Sequence, residues 1–189
     1  MSKLASLPFN VLWKNYPDDP PCINPNGDVP NGWSNQCAVR IGTALERSGV
    51  SFSSLPAGGR CPTGPQGGGM VGDAERLAGW LKTKQRFANC GTCEILSPPT
   101  WETAVSSRTG IIFFRNYWRR NGERSGNGTG DHIDLWNRDR MTSAVLSFMR
   151  FTLGIRTFPN LNPFTRSESN ANWYSDLNGS SAVWFWHVP

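Results

Sequence analysis

The chain has 189 residues, of which 38% are hydrophobic, and its 19 Lys and Arg outnumber its 14 Asp and Glu to give a net charge of +5. This length is enough to bury a core, so we expect residues 1–189 to form a single domain. No segment approaches the roughly 20 apolar residues of a membrane span, which argues against membrane insertion. The basic excess suits an anionic polymer such as cell wall or nucleic acid without choosing between them.

The first ten residues lack the uninterrupted apolar stretch of a secretory signal. We therefore expect the chain to be made as a soluble cytoplasmic protein. If it acts on cell wall, a route other than general secretion must carry it there.

The first predicted helix begins near Cys37, within the segment Asn31–Leu45. Ser34 or Asn35 can accept hydrogen bonds from its first free backbone N–H groups, which places Cys37 in the first turn. A thiol there lies at the positive end of the helix dipole, which favours the thiolate. This is the setting of a cysteine nucleophile.

A competing interpretation treats Cys37 as an ordinary core residue. It shares a helix face with Ile41, Ala44, Leu45 and Ser48, and free cysteine is among the most buried residue types. The helix alone favours this second interpretation slightly.

The middle of the chain predicts a loop followed by two helices. Residues 57–69 are too rich in Gly and Pro for regular structure and predict a loop near the cleft. Gly72-Asp73 caps a helix over Ala74–Leu81, and a short helix begins near Trp101.

Three strands and one further helix complete the prediction. Gly110–Phe114 is typical of a buried strand beside His132–Asn137, a helix is expected in Ala144–Met149, and Val183–Val188 predicts a last strand. Together these elements predict one α+β domain, with helices packed on an antiparallel sheet.

The strand at His132 carries the second catalytic signal. After a glycine-rich loop, His132, Asp134 and Trp136 alternate with apolar residues and so share one face. The chain has only two histidines and places this one beside an acid. A cysteine at a helix start and a distant histidine at a strand start follow the order of a papain-like thiol hydrolase.

At these residues the chain resembles a known family. Asn35–Arg40 and Gly130–Asn137 are similar to the signatures of the type VI secretion amidase effectors of the fourth family, as are the opening Phe9–Pro17 and the closing Val183–Trp186. The resemblance implies an NlpC-like papain fold and an antibacterial toxin that a contractile secretion machine injects into a neighbour's periplasm. It also implies a peptidoglycan substrate and a cognate periplasmic immunity protein, with no cofactor, metal or nucleic acid.

The mechanism follows from the two motifs. His132 takes the proton of Cys37, and the thiolate attacks an amide carbonyl to give a thioester that water hydrolyses. The backbone N–H of Cys37 is expected to stabilise the oxyanion, with Gln36 or Asn35 as second donor.

The sequence leaves several candidates for the third catalytic group, which orients the His132 imidazole. Similar family members carry an acid about where Ser143 stands here. Asp134 shares the strand face of His132 and is our first choice, whereas Asp139 lies in a turn where we expect it to be solvated. Ser143 or a backbone carbonyl is the alternative.

The resemblance implies cleavage between D-glutamate and meso-diaminopimelate. We expect Trp33, Asn35 and Asp131 to bind substrate, with Trp33 as a wall of the groove and Asp131 or Asp134 receiving an amine. Arg40 or Arg115 would attract its free carboxylates. Two other functions are compatible with the residues: a papain-like protease acting on proteins, and a non-enzymatic glycan-binding module.

Four cysteines remain after Cys37 is set aside. Cys22, Cys61, Cys90 and Cys93 allow two disulfides in three connectivities. Delivery to an oxidising periplasm favours structural disulfides, with free buried thiols as the alternative. The Cys90–Cys93 spacing is also compatible with a redox pair or half of a zinc site.

Overall fold

The computed structural model describes residues 4–65, 67–118, 128–143, 151 and 176–189. The strands are β1 Glu94–Leu96, β2 Thr109–Trp118, β3 Gly130–Asn137, β4 Arg140–Met141 and β5 Ala182–His187. They form one antiparallel sheet in the order β1-β5-β2-β3-β4. The helices are α1 Phe9–Lys14, α2 Cys37–Arg47, α3 Ala74–Thr83 and α4 Trp101–Val105, and a 3-10 turn spans Leu177–Gly179. This confirms the α+β prediction.

The central strand β2 explains how the sheet is covered on both sides. Its side chains alternate between two cores: Ile111 and Phe113 pack with residues of α1, α2 and α3, while Ile112 and Phe114 pack with α4. A strand that is buried on both faces needs apolar side chains at successive positions, which explains the continuous apolar run Ile111–Phe114. The neighbouring strand β3 pairs with β2 so that His132 lies opposite Phe114.

Helix α2 packs closely against the loop that precedes α3. A Cβ on Gly42 would lie 1.7 Å from the carbonyl oxygen of Gly69, so only glycine allows this approach. Glu46 completes the contact by accepting a hydrogen bond from the Gly69 N–H at 3.0 Å. The glycine-rich loop is therefore fixed against the helix that begins at Cys37.

The other predicted elements fall where expected. Asp73 caps α3 by accepting from the Arg76 N–H at 2.9 Å, and α4 begins at Trp101. The helix predicted over Ala144–Met149 lies outside the described residues. In the described part of the chain, none of the helices is long and apolar enough to cross a bilayer.

The cysteines are bonded differently from the two-disulfide prediction. Cys22 and Cys61, 39 positions apart, form a disulfide, whereas Cys90 and Cys93 are free thiols. The Gly91 N–H donates to the His187 carbonyl at 2.8 Å, so the segment between these two cysteines follows β5 towards β1. The second disulfide predicted among these four cysteines is therefore absent from the described residues.

Candidate active site

Cys37 is the first residue of α2, as predicted. Its side chain is half-buried, and its backbone N–H donates to Oδ1 of Asn35 at 3.4 Å. The first helical hydrogen bond runs from the Arg40 N–H to the Gln36 carbonyl at 2.9 Å. The Cys37 sulfur thus lies at the positive end of an 11-residue helix.

The fold brings His132 within hydrogen-bonding reach of Cys37. Nε2 of His132 faces Oδ2 of Asp134 at 3.4 Å. The other ring nitrogen, Nδ1, is then the one available to the Cys37 thiol. Cys37 and His132, which are separated by 95 positions in the sequence, are therefore neighbours.

The surroundings of His132 favour the protonated ring. Burial by itself would lower the pKa of His132, but hydrogen bonds to Asp134 and Cys37 outweigh burial and hold the pKa well above its usual value. His132 is therefore placed to exchange a proton with the Cys37 thiol.

Asp134 is held by groups on its far side. Its carboxylate is 4% exposed, and Oδ1 accepts hydrogen bonds from the Leu135 N–H and from Oγ1 of Thr142, each at 2.7 Å. These two bonds fix Oδ1 and leave Oδ2 directed at His132. The acid is oriented before any substrate binds.

Tyr16 extends this chain of hydrogen bonds. Burial, together with the charge of Asp134, raises the pKa of Tyr16 far above its usual value, so the phenol is neutral. Tyr16 is hydrogen-bonded to Thr142. This contact lowers the pKa of Tyr16, but burial and the charge of Asp134 outweigh it.

Sequence reasoning missed Tyr16 and Thr142. Tyr16 lies in the opening Phe9–Pro17 segment, which carries part of the family resemblance, so a signal was present. Thr142 directly precedes Ser143, the alternative orienting residue in the sequence analysis. Ser143 itself is exposed, and Asp139 is exposed in a turn as predicted.

The predicted oxyanion donors differ in whether their hydrogen bonds within the protein leave them available to a substrate. Gln36 is 5% exposed and bonds the backbone of Cys22 twice, accepting from its N–H at 2.8 Å and donating to its carbonyl at 2.7 Å. It ties the disulfide segment to the start of α2 rather than pointing at a reacting carbonyl. The Cys37 N–H is better placed, because its 3.4 Å contact with exposed Asn35 is long enough for an oxyanion to replace.

Two predicted substrate contacts have structural partners. Trp33 is half-buried with its ring against Gly72 and the Cys22–Cys61 disulfide cluster, a position compatible with a groove wall. Asp131 is buried, and its Oδ1 accepts from the Asn116 N–H at 2.8 Å. Asn116 has a left-handed φ of 54° in the irregular part of β2, so Asp131 stabilises this bulge beside the site.

The two arginines expected to attract carboxylates are also engaged. Arg40 donates to the carbonyls of Pro17 and Asp18 at 2.7 and 2.6 Å and so fixes the chain that follows Tyr16. Arg115 forms an ion pair with Glu75 at 2.6 Å. Both residues therefore organise the walls of the site.

Comparisons with known proteins give a consistent answer. A model of the family described as type VI secretion system amidase effector protein 4 matches residues 33–186. The solved structure of the type VI effector Tae4 from Enterobacter cloacae has 14% identity and a TM-score of 0.54, with both chains covered completely. None of the curated proteins matches the sequence.

Two effector–immunity complexes contain similar chains. The Tae4/Tai4 system from Salmonella typhimurium, as a selenomethionine variant, gives 16% identity and a TM-score of 0.54 over 97% of this chain and 99% of that one. The Tae4-Tai4 complex from Enterobacter cloacae gives 15% identity and a TM-score of 0.50 over 100% of both. At such identities the likeness establishes the fold.

Proposed function

This chain belongs to the family of type VI secretion system amidase effector protein 4, and we propose that Cys37, His132 and Asp134 carry out its hydrolysis of peptidoglycan stem peptides. Membership makes the chain an antibacterial effector and a hydrolase. The observation that supports the three roles is the contact of His132 with both Cys37 and Asp134.

Hydrolysis proceeds in two steps with balanced proton transfers. The Cys37 thiolate attacks the amide carbonyl while the Cys37 N–H stabilises the oxyanion, and exposed Asn35 can turn its amide towards the same oxygen. His132 then gives its proton to the leaving amine, and a thioester remains on Cys37. Water attacks the thioester, His132 takes its proton, and the carboxylate product leaves as the thiolate is restored.

Asp134 orients the imidazole and stabilises its positive charge throughout. Its second oxygen lies 3.4 Å from Nε2, while its first oxygen is fixed by Leu135 and Thr142. Asp134 therefore supplies, from the same strand as His132, the acid that the family resemblance places near Ser143. No step requires a cofactor or metal.

The proposed scissile bond joins D-glutamate to meso-diaminopimelate. Family membership supports a wall amidase over a protease that acts on proteins or a non-enzymatic glycan-binding module. Trp33 contributes one wall of the groove for the stem peptide.

The proposed site of action is the periplasm of a target cell, which the protein reaches by injection. The protein is made in the producing cell's cytoplasm, is injected by the type VI secretion machinery, and acts in the periplasm of the target cell. The Tae4 proteins of Salmonella typhimurium and Enterobacter cloacae form effector–immunity complexes with Tai4. A cognate periplasmic immunity protein would protect the producer in the same way, and residues 1–189 act as one amidase domain.

Mass spectrometry of muropeptide digests tests the proposal. We expect one fragment ending in D-glutamate and one beginning with diaminopimelate, and no products with Cys37→Ala. Cleavage at the sugar to L-alanine link, or only at the bridge between stems, would reject this specificity while keeping the thiol mechanism. Digestion of a denatured protein in place of muropeptides would favour the protease.

A further inference from the structure

A groove outside the catalytic residues runs along one side of α3. We propose that this α3 groove binds free carboxylates of the wall polymer away from the bond being cut, an inference that rests on the proposed function. Its volume is about 330 Å³. The groove is lined by Ser54, Leu55, Pro56, Arg76, Trp80, Thr83, Lys84 and Arg86.

The lining carries three cations and no acid. Arg76 donates to the backbone carbonyls of Pro56 and Ala57, and Lys84 is exposed. Arg86 donates to carbonyl and hydroxyl oxygens only. Among the described residues none of these three cations forms an ion pair, so their positive charge is not neutralised. An anion is the complementary ligand.

Arg86 is fixed in place like a preformed binding group. Its guanidinium lies 3.9 Å from the centre of the Trp80 ring, and Trp80 stacks on Phe52 with centroids 4.8 Å apart. Nη1 of Arg86 donates to Oγ of Ser54 at 2.9 Å. Burial also lowers the pKa of Arg86, as happens to a cation without a nearby counter-charge. A bound carboxylate would supply that charge without reorganising the groove.

Donors remain available at Arg76 and Lys84. Both hydrogen bonds of Arg76 start at Nη2, which leaves its Nε and Nη1 hydrogens uncommitted within the described structure. Oxygen acceptors such as carboxylates are the natural partners of these hydrogens. The groove can therefore bind more than one carboxylate along its length.

Helix α3, which forms one side of the groove, begins near the active site and leads away from it. At the start of α3, Gly72 lies against Trp33 and Glu75 pairs with Arg115, which follows the Phe114 that pairs with His132. From there α3 continues for ten residues, about 15 Å along its axis. This geometry suits a polymer that bears carboxylates beyond the peptide held at Cys37.

Sedimentation with purified peptidoglycan sacculi tests the groove. All proteins carry Cys37→Ala so that the polymer stays intact. Lys84→Glu changes an exposed residue, and Lys14→Glu is the matched control because Lys14 is exposed at the end of α1. We expect Lys84→Glu to weaken retention by about three- to tenfold relative to the control, because reversing a charge turns an attraction into a repulsion. Adding Arg76→Gln should weaken it further.

Two further measurements separate the proposal from its competitors. In proteins with Cys37 intact, Lys84→Glu should leave the hydrolysis of small soluble muropeptides unchanged. When the carboxyl groups of the sacculi are amidated, the Lys84→Glu and Lys14→Glu proteins should be retained equally. Equal retention of these two proteins on unmodified sacculi would overturn the proposed groove. A Lys84→Glu protein that pellets normally but binds the cognate immunity protein more weakly would also overturn it. If no muropeptide is cut by the unaltered protein, the proposed function fails, whereas the sedimentation result still decides the groove.

Discussion

Oγ1 of Thr142 donates a hydrogen bond to Oδ1 of Asp134 at 2.7 Å, and Thr142 directly precedes Ser143. The hydroxyl lies just beyond β4 and the carboxylate lies on β3, so the pairing of these two strands places them together. Asp134 is held from behind and presents its other oxygen to His132. Thr142 thus helps to hold the carboxylate of Asp134 in the orientation that faces His132.

The first prediction ranks variants of this chain of contacts. Cys37→Ala and His132→Ala should each abolish hydrolysis, because the two residues react as one unit. Asp134→Asn should lower kcat by about 10²-fold or more without removing activity. Thr142→Val should cost about tenfold, the scale of one hydrogen bond to a charged group. Steady-state kinetics on a soluble muropeptide measures all four.

A pH profile of kcat/KM distinguishes a specific effect on the His132 imidazole from general damage to the fold in the Asp134→Asn and Thr142→Val proteins. Loss of the Asp134 charge should lower the pKa of His132 and move the basic limb of kcat/KM to lower pH, and Thr142→Val should shift it less in the same direction. Ser143→Ala is the matched control and should retain activity. If Ser143→Ala costs more than Asp134→Asn, the assignment of the orienting acid is wrong.

The second prediction concerns the pH dependence of stability. The pKa of His132 is raised in the folded protein, since its bonds to Asp134 and Cys37 outweigh the opposing effect of burial. Its contribution to the free energy of unfolding is therefore complete below the unfolded pKa of about 6.5 and is lost as pH rises through the higher folded value. Urea unfolding of the parent and of His132→Gln across this range should show a difference that shrinks with increasing pH. A difference that grows with pH would contradict the raised pKa.

The third prediction concerns alkylation by iodoacetamide. Burial, with a smaller effect of neighbouring Cys93, raises the pKa of Cys90 to about 12, and burial also raises the pKa of Cys93 despite Lys82. Both thiols should stay protonated and react slowly at pH 7.5. Cys37 should be labelled first, because it lies at the N-terminus of α2 in contact with His132 and is the proposed nucleophile. Peptide mapping after a short exposure identifies the site, and early label on Cys90 or Cys93 would refute this order.

Much of the fold could be predicted because local rules and tertiary contacts agree. The α2 helix begins at Cys37 as predicted, although its N-cap is Gln36 without a side-chain cap and Asn35 makes only a 3.4 Å contact with the Cys37 N–H. The continuous apolar run Gly110–Phe114 became the central strand for the same reason. Where an element is amphipathic or fully buried over several residues, its pattern is visible in the sequence.

The prediction failed where a short element depends on distant partners. Helix α1 has six residues and no side-chain cap, and β1 has three residues that pair with a strand about 90 positions away. The role of Thr142 was invisible for a related reason, since its hydroxyl matters only through the fold that brings it to Asp134. Gln36 is the opposite case. Its position beside Cys37 predicted a donor to the oxyanion, but its side chain is hydrogen-bonded to the Cys22 backbone instead.

The fourth prediction compares two glycines inside helices. Gly42→Ala would place a Cβ 1.7 Å from the Gly69 carbonyl, forcing the glycine-rich loop away from α2 at a cost of about 1–3 kcal/mol. At Gly79 in α3 an added methyl group would meet nothing within 4 Å, so Gly79→Ala should stabilise the protein by about 0.5–1 kcal/mol. Thermal unfolding of the two variants should shift Tm in opposite directions. Equal shifts would mean that the contact between α2 and the loop is not rigid.

The last prediction concerns the single disulfide. Cys22–Cys61 closes a loop of about 40 residues and packs beside Val39 and Trp33, next to the start of α2. Intact mass under oxidising conditions should therefore fall by about two hydrogens, for one bond rather than two. Cys22→Ala with Cys61→Ala should lower the free energy of unfolding by about 2–4 kcal/mol, measured by urea titration. The variant should also lose activity at lower denaturant than the parent, because Gln36 links the Cys22 backbone to the residue before Cys37. Cys90→Ala with Cys93→Ala is the matched control and should leave the oxidised mass difference unchanged, whereas a fall of about four hydrogens in the parent would show that these two thiols also pair.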